Sequence, residues 1–259
     1  IVAPLKDSPA SSAGLKPADK ILKINSTSTA DLAVDAAVRL IRGPEGTNVT
    51  LTIDRDAWEK PKEITITRAT IIVPTLDYEM KGDIAYLKLY SFNANTTPLF
   101  QESALEITAA NARGMVLDLR NNPGGYLGVA LEIAKWFFED GTLIVKEECK
   151  GEANNQEFKA RGRGILADLP IAVIINEGSA SASEILAGAL RDNRKIKLIG
   201  EKSFGKGTVQ EIMDLNDGSS LKLTVAHWVL PSGQVLENEG LKPDNDVKIT
   251  DEAKENNRD

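Results

Sequence analysis

The sequence has only one cysteine, Cys149, and only one histidine, His227, among its 259 residues. One cysteine cannot form a disulfide within the chain, so the sequence excludes a scaffold held together by disulfides. One histidine excludes mechanisms that need two imidazoles, which removes most zinc hydrolase sites. No apolar run approaches the roughly 20 residues that cross a bilayer. The longest runs, such as Ile171–Ile175, have the length of a buried strand.

Acidic residues outnumber basic ones, 38 to 31, which gives a formal net charge of −7. Polyanions repel a chain of this sign, so we expect no nucleic-acid partner. The 42% hydrophobic and 27% charged residues are ordinary for a globular protein and exclude a disordered or fibrous chain. The sequence begins with Ile1 instead of methionine, inside a strand-like segment, so we expect further sequence upstream.

The first 70 residues predict a small α+β module. Alternating apolar residues predict strands at Ile21–Ile24, Val49–Ile53 and Ile64–Thr67, and Ile1–Ala3 is also strand-like. Apolar residues at helical spacing predict a helix over 30–41.

From residue 71 to residue 259 the pattern changes to strands that alternate with longer helices. This alternation is typical of an α/β layer with substantial parallel pairing. We therefore expect two domains, 1–70 and 71–259. In the second domain the predicted strands are Ile84–Leu89, Gly114–Leu119, Ile171–Ile175, Lys197–Gly200 and Ser219–Trp228, and the predicted helices lie near 95–112, 125–139 and 182–193.

A serine-rich segment, Asn176–Glu184, lies between a predicted strand and a predicted helix. A serine in such a turn presents its hydroxyl at the edge of the sheet, and the unpaired N–H groups of the helix start can stabilise an oxyanion. Ser181 is thus a candidate nucleophile. Residues 181–184 also match the helix capping box S-x-x-E, which needs no catalysis. The segment alone leaves both roles open.

A serine nucleophile needs a base, and two residues are candidates. His227 lies in a predicted strand, where a single histidine is more often structural. Lys206 lies between Gly205 and Gly207, which let the backbone bend tightly. A lysine amine has an ordinary pKa of about 10.4, so it acts as a base only where water is excluded and no carboxylate holds the proton. Gln210 fits that requirement because an amide orients the amine without adding negative charge.

A third segment, Asp118–Gly125, follows a predicted strand and precedes a predicted helix. Its last two residues, Gly124 and Gly125, let a backbone N–H approach a ligand closely. The segment is therefore a candidate for a second oxyanion donor, and an ordinary strand–loop–helix turn is the simpler alternative.

Together and in this order, these segments resemble the carboxyl-terminal processing peptidases, which are tail-specific serine proteases with a Ser–Lys pair. Residues 8–25 and 37–43 resemble the PDZ domain of that family. The other matching segments are Leu117–Gly125, Gly178–Leu190 and Gly200–Gln210, with shorter matches at 217–219, 231–233 and 240–244.

The resemblance implies a crotonase- or Clp-like α/β protease core with a small α+β PDZ domain. It also implies that Ser181 is the nucleophile, that Lys206 is the general base and that Gln210 positions the base. Ser179 and Ser183 remain alternative nucleophiles.

The same resemblance places the oxyanion hole at the N–H of Ala182 and at the N–H of Gly124 or Gly125, without deciding between the two glycines. Arg42 matches an arginine that the family uses to gate its catalytic site, and a solvated arginine at a helix end is the alternative interpretation.

The PDZ match has departures. Ala18 and Ser26 replace glycines that are common in the pattern. The first PDZ strand and its carboxylate-binding loop would precede Ile1. The resemblance alone therefore does not predict peptide capture by residues 1–70.

The function that the resemblance implies is a serine endopeptidase that cleaves protein substrates near their carboxyl terminus through an acyl-enzyme. The PDZ domain would bind the substrate tail as an added strand and gate the catalytic site. The implied partners are proteins or peptides with accessible carboxyl termini, and no metal or organic cofactor is implied. A homo-oligomer and membrane attachment through segments outside this chain are left open.

The resemblance further implies a location outside the cytoplasm, in the periplasm or on the outer face of a membrane. Two other functions remain as alternatives. One is a catalytically inactive peptide-binding scaffold of the same fold, and the other is a crotonase-like acyl-CoA enzyme.

Overall fold

The structure, a computed structural model, describes residues 1, 4, 8–16, 18–56, 58–71, 75–149, 154–215 and 219–248. The chain divides into two compact units, Ile1–Pro74 and Thr75–Asp259. The strand predicted at Ile1–Ala3 lies largely outside the described residues.

The amino-terminal unit contains a four-stranded antiparallel sheet in the order β2-β1-β3-β4. In β3, Val49, Leu51 and Ile53 are buried and alternate with more exposed residues, so one face of the sheet forms the core of the unit. The elements are α1 (Pro9–Ser12), β1 (Lys20–Ile24), β2 (Thr27–Ser28), α2 (Val34–Ile41), β3 (Asn48–Asp54) and β4 (Lys62–Thr67).

Helix α2 begins later than the helix predicted over 30–41. Residues 29–32 form a turn in which the Leu32 N–H donates to the Thr29 carbonyl (3.1 Å), and Ala33 has an extended backbone. The apolar spacing at 30–33 is therefore compatible with a turn, and the regular helix starts at Val34.

The carboxyl-terminal unit is built on a six-stranded sheet in the order β14-β11-β10-β7-β6-β5. Neighbouring strands from β14 to β6 are parallel, and β5 joins the edge antiparallel. This pairing confirms the predicted α/β layer. The elements of this sheet and its helices are β5 (Leu76–Lys81), β6 (Ile84–Leu89), α3 (Thr96–Ala109), β7 (Gly114–Asp118), α4 (Leu127–Ala134), β10 (Ile171–Ile175), α5 (Ala182–Arg194), β11 (Lys197–Gly200) and β14 (Asn245–Asp246).

Helix α4 is shorter than the helix expected near 125–139. After Ala134 the chain tightens, since Trp136 and Phe137 donate their N–H groups three residues back, to Ile133 and Ala134. Both aromatic side chains are buried in the same core as α4. Their spacing therefore continues the apolar pattern beyond the end of the regular helix.

A second, antiparallel sheet in this unit has the order β12-β13-β8-β9. Its strands are β8 (Leu143–Cys149), β9 (Gln156–Lys159), β12 (Thr208–Asp214) and β13 (Ser220–Val229). Of these, only β13 was predicted as a strand from the alternation of its residues.

None of the helices in the described part of the chain has the length and apolar composition that a bilayer crossing requires. Within the same residues, no group of three or more histidine, cysteine, aspartate or glutamate side chains is placed to bind a metal ion.

Candidate active site

Three neighbouring parallel strands place the three sequence motifs side by side. β10 pairs with β7 on one side and with β11 on the other, so the carboxyl ends of all three strands meet at one edge of the sheet. The segment after β7 is 119–125, the segment after β10 is 176–181, and the segment after β11 is 201–207. The topology therefore assembles the site from residues that lie far apart in sequence.

Two of the three serines in the Asn176–Glu184 segment form hydrogen bonds that join these segments. Ser179 Oγ donates to the Leu119 carbonyl (2.8 Å), and Ser183 Oγ donates to the Asn122 carbonyl (2.9 Å). Both serines are fully buried. Ser181, between them, is partly exposed.

Ser181 has a strained backbone at the start of helix α5. Its φ of +56° and ψ of −116° are rare for a residue with a side chain, and such strain persists only where the surroundings impose it. Gly124 contributes to that environment, because a β-carbon there would lie 2.9 Å from Ser181 Cβ and 2.7 Å from the Ala180 carbonyl oxygen. The 119–125 segment can approach Ser181 this closely only with glycine at position 124.

The two glycines of that segment present their N–H groups in different directions. The Gly124 N–H donates to Asn122 Oδ1 (2.9 Å). The backbone around Gly125 forms a bridge with Phe92, which uses the Gly124 carbonyl and the Tyr126 N–H. The Gly125 N–H therefore faces away from Phe92, and it donates no hydrogen bond within the part of the chain that the structure describes.

The carboxylate of Glu184 connects the two candidate catalytic segments. Oε2 accepts hydrogen bonds from the N–H of Ser181 (2.8 Å) and of Lys206 (2.9 Å). Oε1 accepts from the N–H of Gly205 (2.7 Å) and from Ser203 Oγ (2.6 Å). Glu184 is fully buried. One side chain therefore sets the distance between the backbones of residues 181 and 206.

Sequence reasoning gave Glu184 only the helix-capping role, and that role is present in its bond to the Ser181 N–H. The hydrogen bonds to residues 203–206 have no counterpart in a capping motif. Among the residues that the structure describes, no cation pairs with this buried carboxylate. Its four hydrogen bonds and its position in the first turn of α5, at the positive end of the helix dipole, stabilise it instead.

The side chains of Lys206 and Gln210 are not assembled into a site with Ser181. Both residues are exposed. Within the described residues, the structure gives no contact of the Lys206 amine with Ser181 Oγ or with Gln210. A β-bulge between Val209 and Gln210 interrupts the regular pairing of β12, so Gln210 does not continue the side-chain alternation of that strand. The structure thus joins the backbones of Ser181 and Lys206 but not their side chains.

A buried ion pair supports the start of the 119–125 segment. Asp118 is fully buried, and its carboxylate accepts hydrogen bonds from the Arg120 guanidinium (2.6 Å) and from the Tyr86 hydroxyl (2.6 Å). Burial alone would raise the pKa of the Asp118 carboxyl, but the hydrogen bonds and charge of Arg120 and the bond from Tyr86 outweigh it and lower that pKa below its usual value. Burial, followed by the adjacent carboxylate, raises the pKa of Tyr86.

Two further residues singled out in the sequence lie elsewhere. His227 is in β13 opposite Thr208, and its Nδ1 lies 2.6 Å from Glu237 Oε2. Arg42 ends helix α2 in the amino-terminal unit, where its N–H donates to the Val38 carbonyl (2.9 Å). Arg42 also borders an apolar cleft of about 490 Å³.

Comparisons with known proteins agree with this architecture. Residues 83–247 match the family described as peptidase family S41, and residues 1–55 match a PDZ domain. The chain is 39% identical over 246 residues to a "Probable CtpA-like serine protease" of Staphylococcus epidermidis, a match that covers 94% of this chain and 49% of that protein. A protein of the same description from Staphylococcus haemolyticus is 38% identical over 247 residues, covering 95% of this chain and 49% of the relative.

The fold is similar to that of a photosystem II D1 C-terminal processing protease, with a TM-score of 0.86 and 28% identity. That match covers 96% of this chain and 68% of the other. This chain spans about half the length of the curated relatives it matches. The predicted fold class, an α/β core with a PDZ domain, and the resemblance to carboxyl-terminal processing peptidases are confirmed. The family match covers more than half of the chain, and the chain belongs to peptidase family S41.

Proposed function

We propose that this chain is the catalytic part of a serine endopeptidase that cleaves protein substrates near their carboxyl terminus. The observation that carries the proposal is the bridge made by Glu184, which accepts from the N–H of both Ser181 and Lys206. A purely structural cap would need only the first of these bonds. The names of the relatives, a CtpA-like serine protease and a D1 C-terminal processing protease, support the same activity.

In the proposed reaction, Lys206 Nζ takes the proton of Ser181 Oγ as that oxygen attacks the carbonyl carbon of the scissile bond. The tetrahedral intermediate collapses to an ester on Ser181, and the departing amine receives the proton from Lys206. A water molecule then gives a proton to Lys206 and attacks the ester. This step releases the new carboxyl terminus and restores the Ser181 hydroxyl.

The N–H groups of Ala182 and Gly125 are the proposed oxyanion donors. Ala182 is the first residue of α5, where the backbone N–H has no acceptor within a helix. Gly125 is preferred to Gly124 because its N–H is unpaired among the described residues and the residue is exposed, whereas the Gly124 N–H is bonded to Asn122. Two such donors aimed at the developing charge stabilise the transition state.

Because Lys206 is exposed, the substrate has a second role in this proposal, which is to exclude water from the Lys206 amine. An amine in water keeps its proton at neutral pH, so the base works only after water is excluded. An extended peptide lying over Ser181 would cover the Lys206 side chain, which is then directed to Ser181 Oγ with the Gln210 amide as its positioning group. In this proposal the side chains assemble when substrate binds, and Glu184 sets the backbone in advance.

We assign residues 1–70 to the PDZ domain and residues 71–259 to the protease core. The apolar cleft that Arg42 borders, with Leu51 and Ile66 in its wall, suits an apolar substrate tail. Recognition of that tail, gating through Arg42 and a location outside the cytoplasm are parts of the same proposal, supported by the family resemblance.

Cleavage of a fluorogenic peptide with an apolar carboxyl terminus tests the proposal. Ser181→Ala and Lys206→Met are expected to lower kcat/KM more than about a thousandfold with the fold intact. Lys202→Met, which removes another exposed lysine of the same segment, is the matched control and should leave kcat/KM unchanged. Full activity in Ser181→Ala would overturn the proposal. Peptide binding by the wild type without cleavage would favour the inactive scaffold.

A further inference from the structure

Residues 234–241 form a segment that lies against the backbone around Lys206. The Asn238 N–H donates to the Gly205 carbonyl (2.9 Å), and the Leu241 N–H donates to Ser203 Oγ (2.6 Å). Ser203 Oγ is the same hydroxyl that donates to Glu184. The 234–241 segment and Glu184 thus both form hydrogen bonds with the 203–207 segment, and Ser203 Oγ bonds to each of them.

Gly207 lies between the 234–241 segment and strand β13. Its carbonyl accepts from the Trp228 N–H (2.7 Å), and a β-carbon at this position would collide with the Glu237 backbone nitrogen. The absence of a side chain at position 207 therefore lets the 234–241 segment and β13 approach each other closely at the residue that follows Lys206.

A pair of side chains also connects β13 to the 234–241 segment. His227, on β13, has its Nδ1 2.6 Å from Glu237 Oε2, on the 234–241 segment. Nδ1 is shielded from solvent and forms no hydrogen bond among the described residues, so the two side chains are in close contact without an aligned hydrogen bond. The pair adds a side-chain contact to the backbone hydrogen bond that the Leu236 N–H donates to the Trp228 carbonyl (3.1 Å).

We propose that His227 and Glu237 are positioning residues for the peptidase. Their pair holds the 234–241 segment to β13 across Gly207 and so keeps the N–H groups of Gly205 and Lys206 on Glu184. The inference rests on the proposed function only for the role of Lys206. The effect on the backbone around Lys206 is a separate, measurable claim.

Four variants isolate the pair. His227→Phe keeps a ring without a donor, and His227→Asn restores a donor close to the position of Nδ1. Glu237→Met removes the carboxylate from the other partner. Glu148→Met is the matched control, since Glu148 is an exposed carboxylate on β8 opposite His227 and lines one cleft together with His227 and Glu237.

Amide hydrogen exchange of peptides covering 203–207 is the first measurement, and it needs no catalysis. We expect His227→Phe and Glu237→Met to speed exchange in these peptides about tenfold, with His227→Asn and Glu148→Met close to the wild type. Wild-type exchange in both folded loss variants would overturn the inference. If His227→Phe does not fold, Glu237→Met alone decides.

Steady-state kinetics is the second measurement. Positioning predicts that His227→Phe lowers kcat about fivefold or more with KM unchanged and that His227→Asn recovers kcat. A merely structural pair would lower thermal stability with kcat and exchange at 203–207 unchanged, and this result contradicts the inference. Cleavage that persists in Ser181→Ala would refute the proposed function instead, and the exchange data would still test the pair.

Discussion

The carboxylate of Glu184 is the residue-scale feature on which the proposed site depends most. We expect Glu184→Gln to lower the free energy of unfolding by about 2–4 kcal/mol, because an amide cannot accept from all four donors and leaves buried N–H groups unpaired. We also expect kcat to fall, because residues 181 and 206 lose their shared anchor. Chemical denaturation and peptidase assays measure the two effects.

Glu177→Gln is the control for this prediction, since Glu177 is an exposed carboxylate on the same turn. A Glu184→Gln enzyme with wild-type kcat would show that the bridge does not position the catalytic residues. Equal stability losses in both variants would show that the effect belongs to charge and not to the buried hydrogen bonds.

Asp118 gives a pH-dependent prediction. Its pKa is lower in the folded protein than in the unfolded chain, where an aspartate titrates at about 3.9. Its stabilising contribution is therefore complete above about pH 4 to 5 and is lost as the pH falls through the lower, folded pKa. We expect Asp118→Asn to be less stable than the wild type at pH 7, with a difference that shrinks in acid.

Urea denaturation of both proteins between about pH 2.5 and pH 7 measures that difference. The other aspartates with lowered pKa, such as Asp19 and Asp192, contribute equally to both curves and cancel in the comparison. A stability difference that stays constant with pH would contradict the account of the buried pair.

At the residue scale, the sequence predicted which residue types belong to the site but not their directions. The pattern left Gly124 and Gly125 equivalent, and only the bridge with Phe92 shows which N–H is unpaired. The hydrogen bonds of Ser179 and Ser183 likewise depend on contacts more than fifty residues away in the chain. No local pattern contains such contacts.

At the scale of elements, the central strands were predictable because parallel strands buried on both faces are continuous apolar runs. β7 and β10 are of this kind, and the loops that follow them carry the motifs. β8 was not predicted: its apolar start, Leu143–Val145, runs into charged residues that alternate only weakly. Its place is set by pairing with β13 and β9, which is information from the tertiary structure.

Two glycines, one in a helix and one in the segment before β12, give opposite predictions for the same change. Gly128 is exposed in helix α4 with open space around its α-carbon, so Gly128→Ala should stabilise the protein by about 0.5–1 kcal/mol. Gly207→Ala should lower both stability and kcat, because the new β-carbon collides with the Glu237 backbone.

Thermal unfolding and peptidase assays measure both variants, and Gly128→Ala is the internal control for the chemistry of the substitution. A Gly207→Ala enzyme as stable and active as the wild type would refute the close packing described around position 207.

At the scale of the whole molecule, each unit has its own core. Ile53 is fully buried in the amino-terminal core, and Leu117 is fully buried in the carboxyl-terminal core. Ile53→Ala and Leu117→Ala should each cost about 2–5 kcal/mol in the unit that contains the residue. We expect Ile53→Ala to speed hydrogen exchange in peptides from 48–67 and to leave peptides from 114–118 unchanged, with the reverse pattern for Leu117→Ala. Equal changes in both regions would contradict separate cores.

The central claim is that Ser181 is a nucleophile activated by Lys206. Mass-spectrometric mapping of the adduct formed with a peptide that carries a phosphonate warhead, and therefore occupies the substrate site, tests it most directly. We expect one adduct per chain, on Ser181, which is lost in Lys206→Met and retained in Lys202→Met. An adduct on another residue, or an unchanged rate of labelling in Lys206→Met, would contradict it.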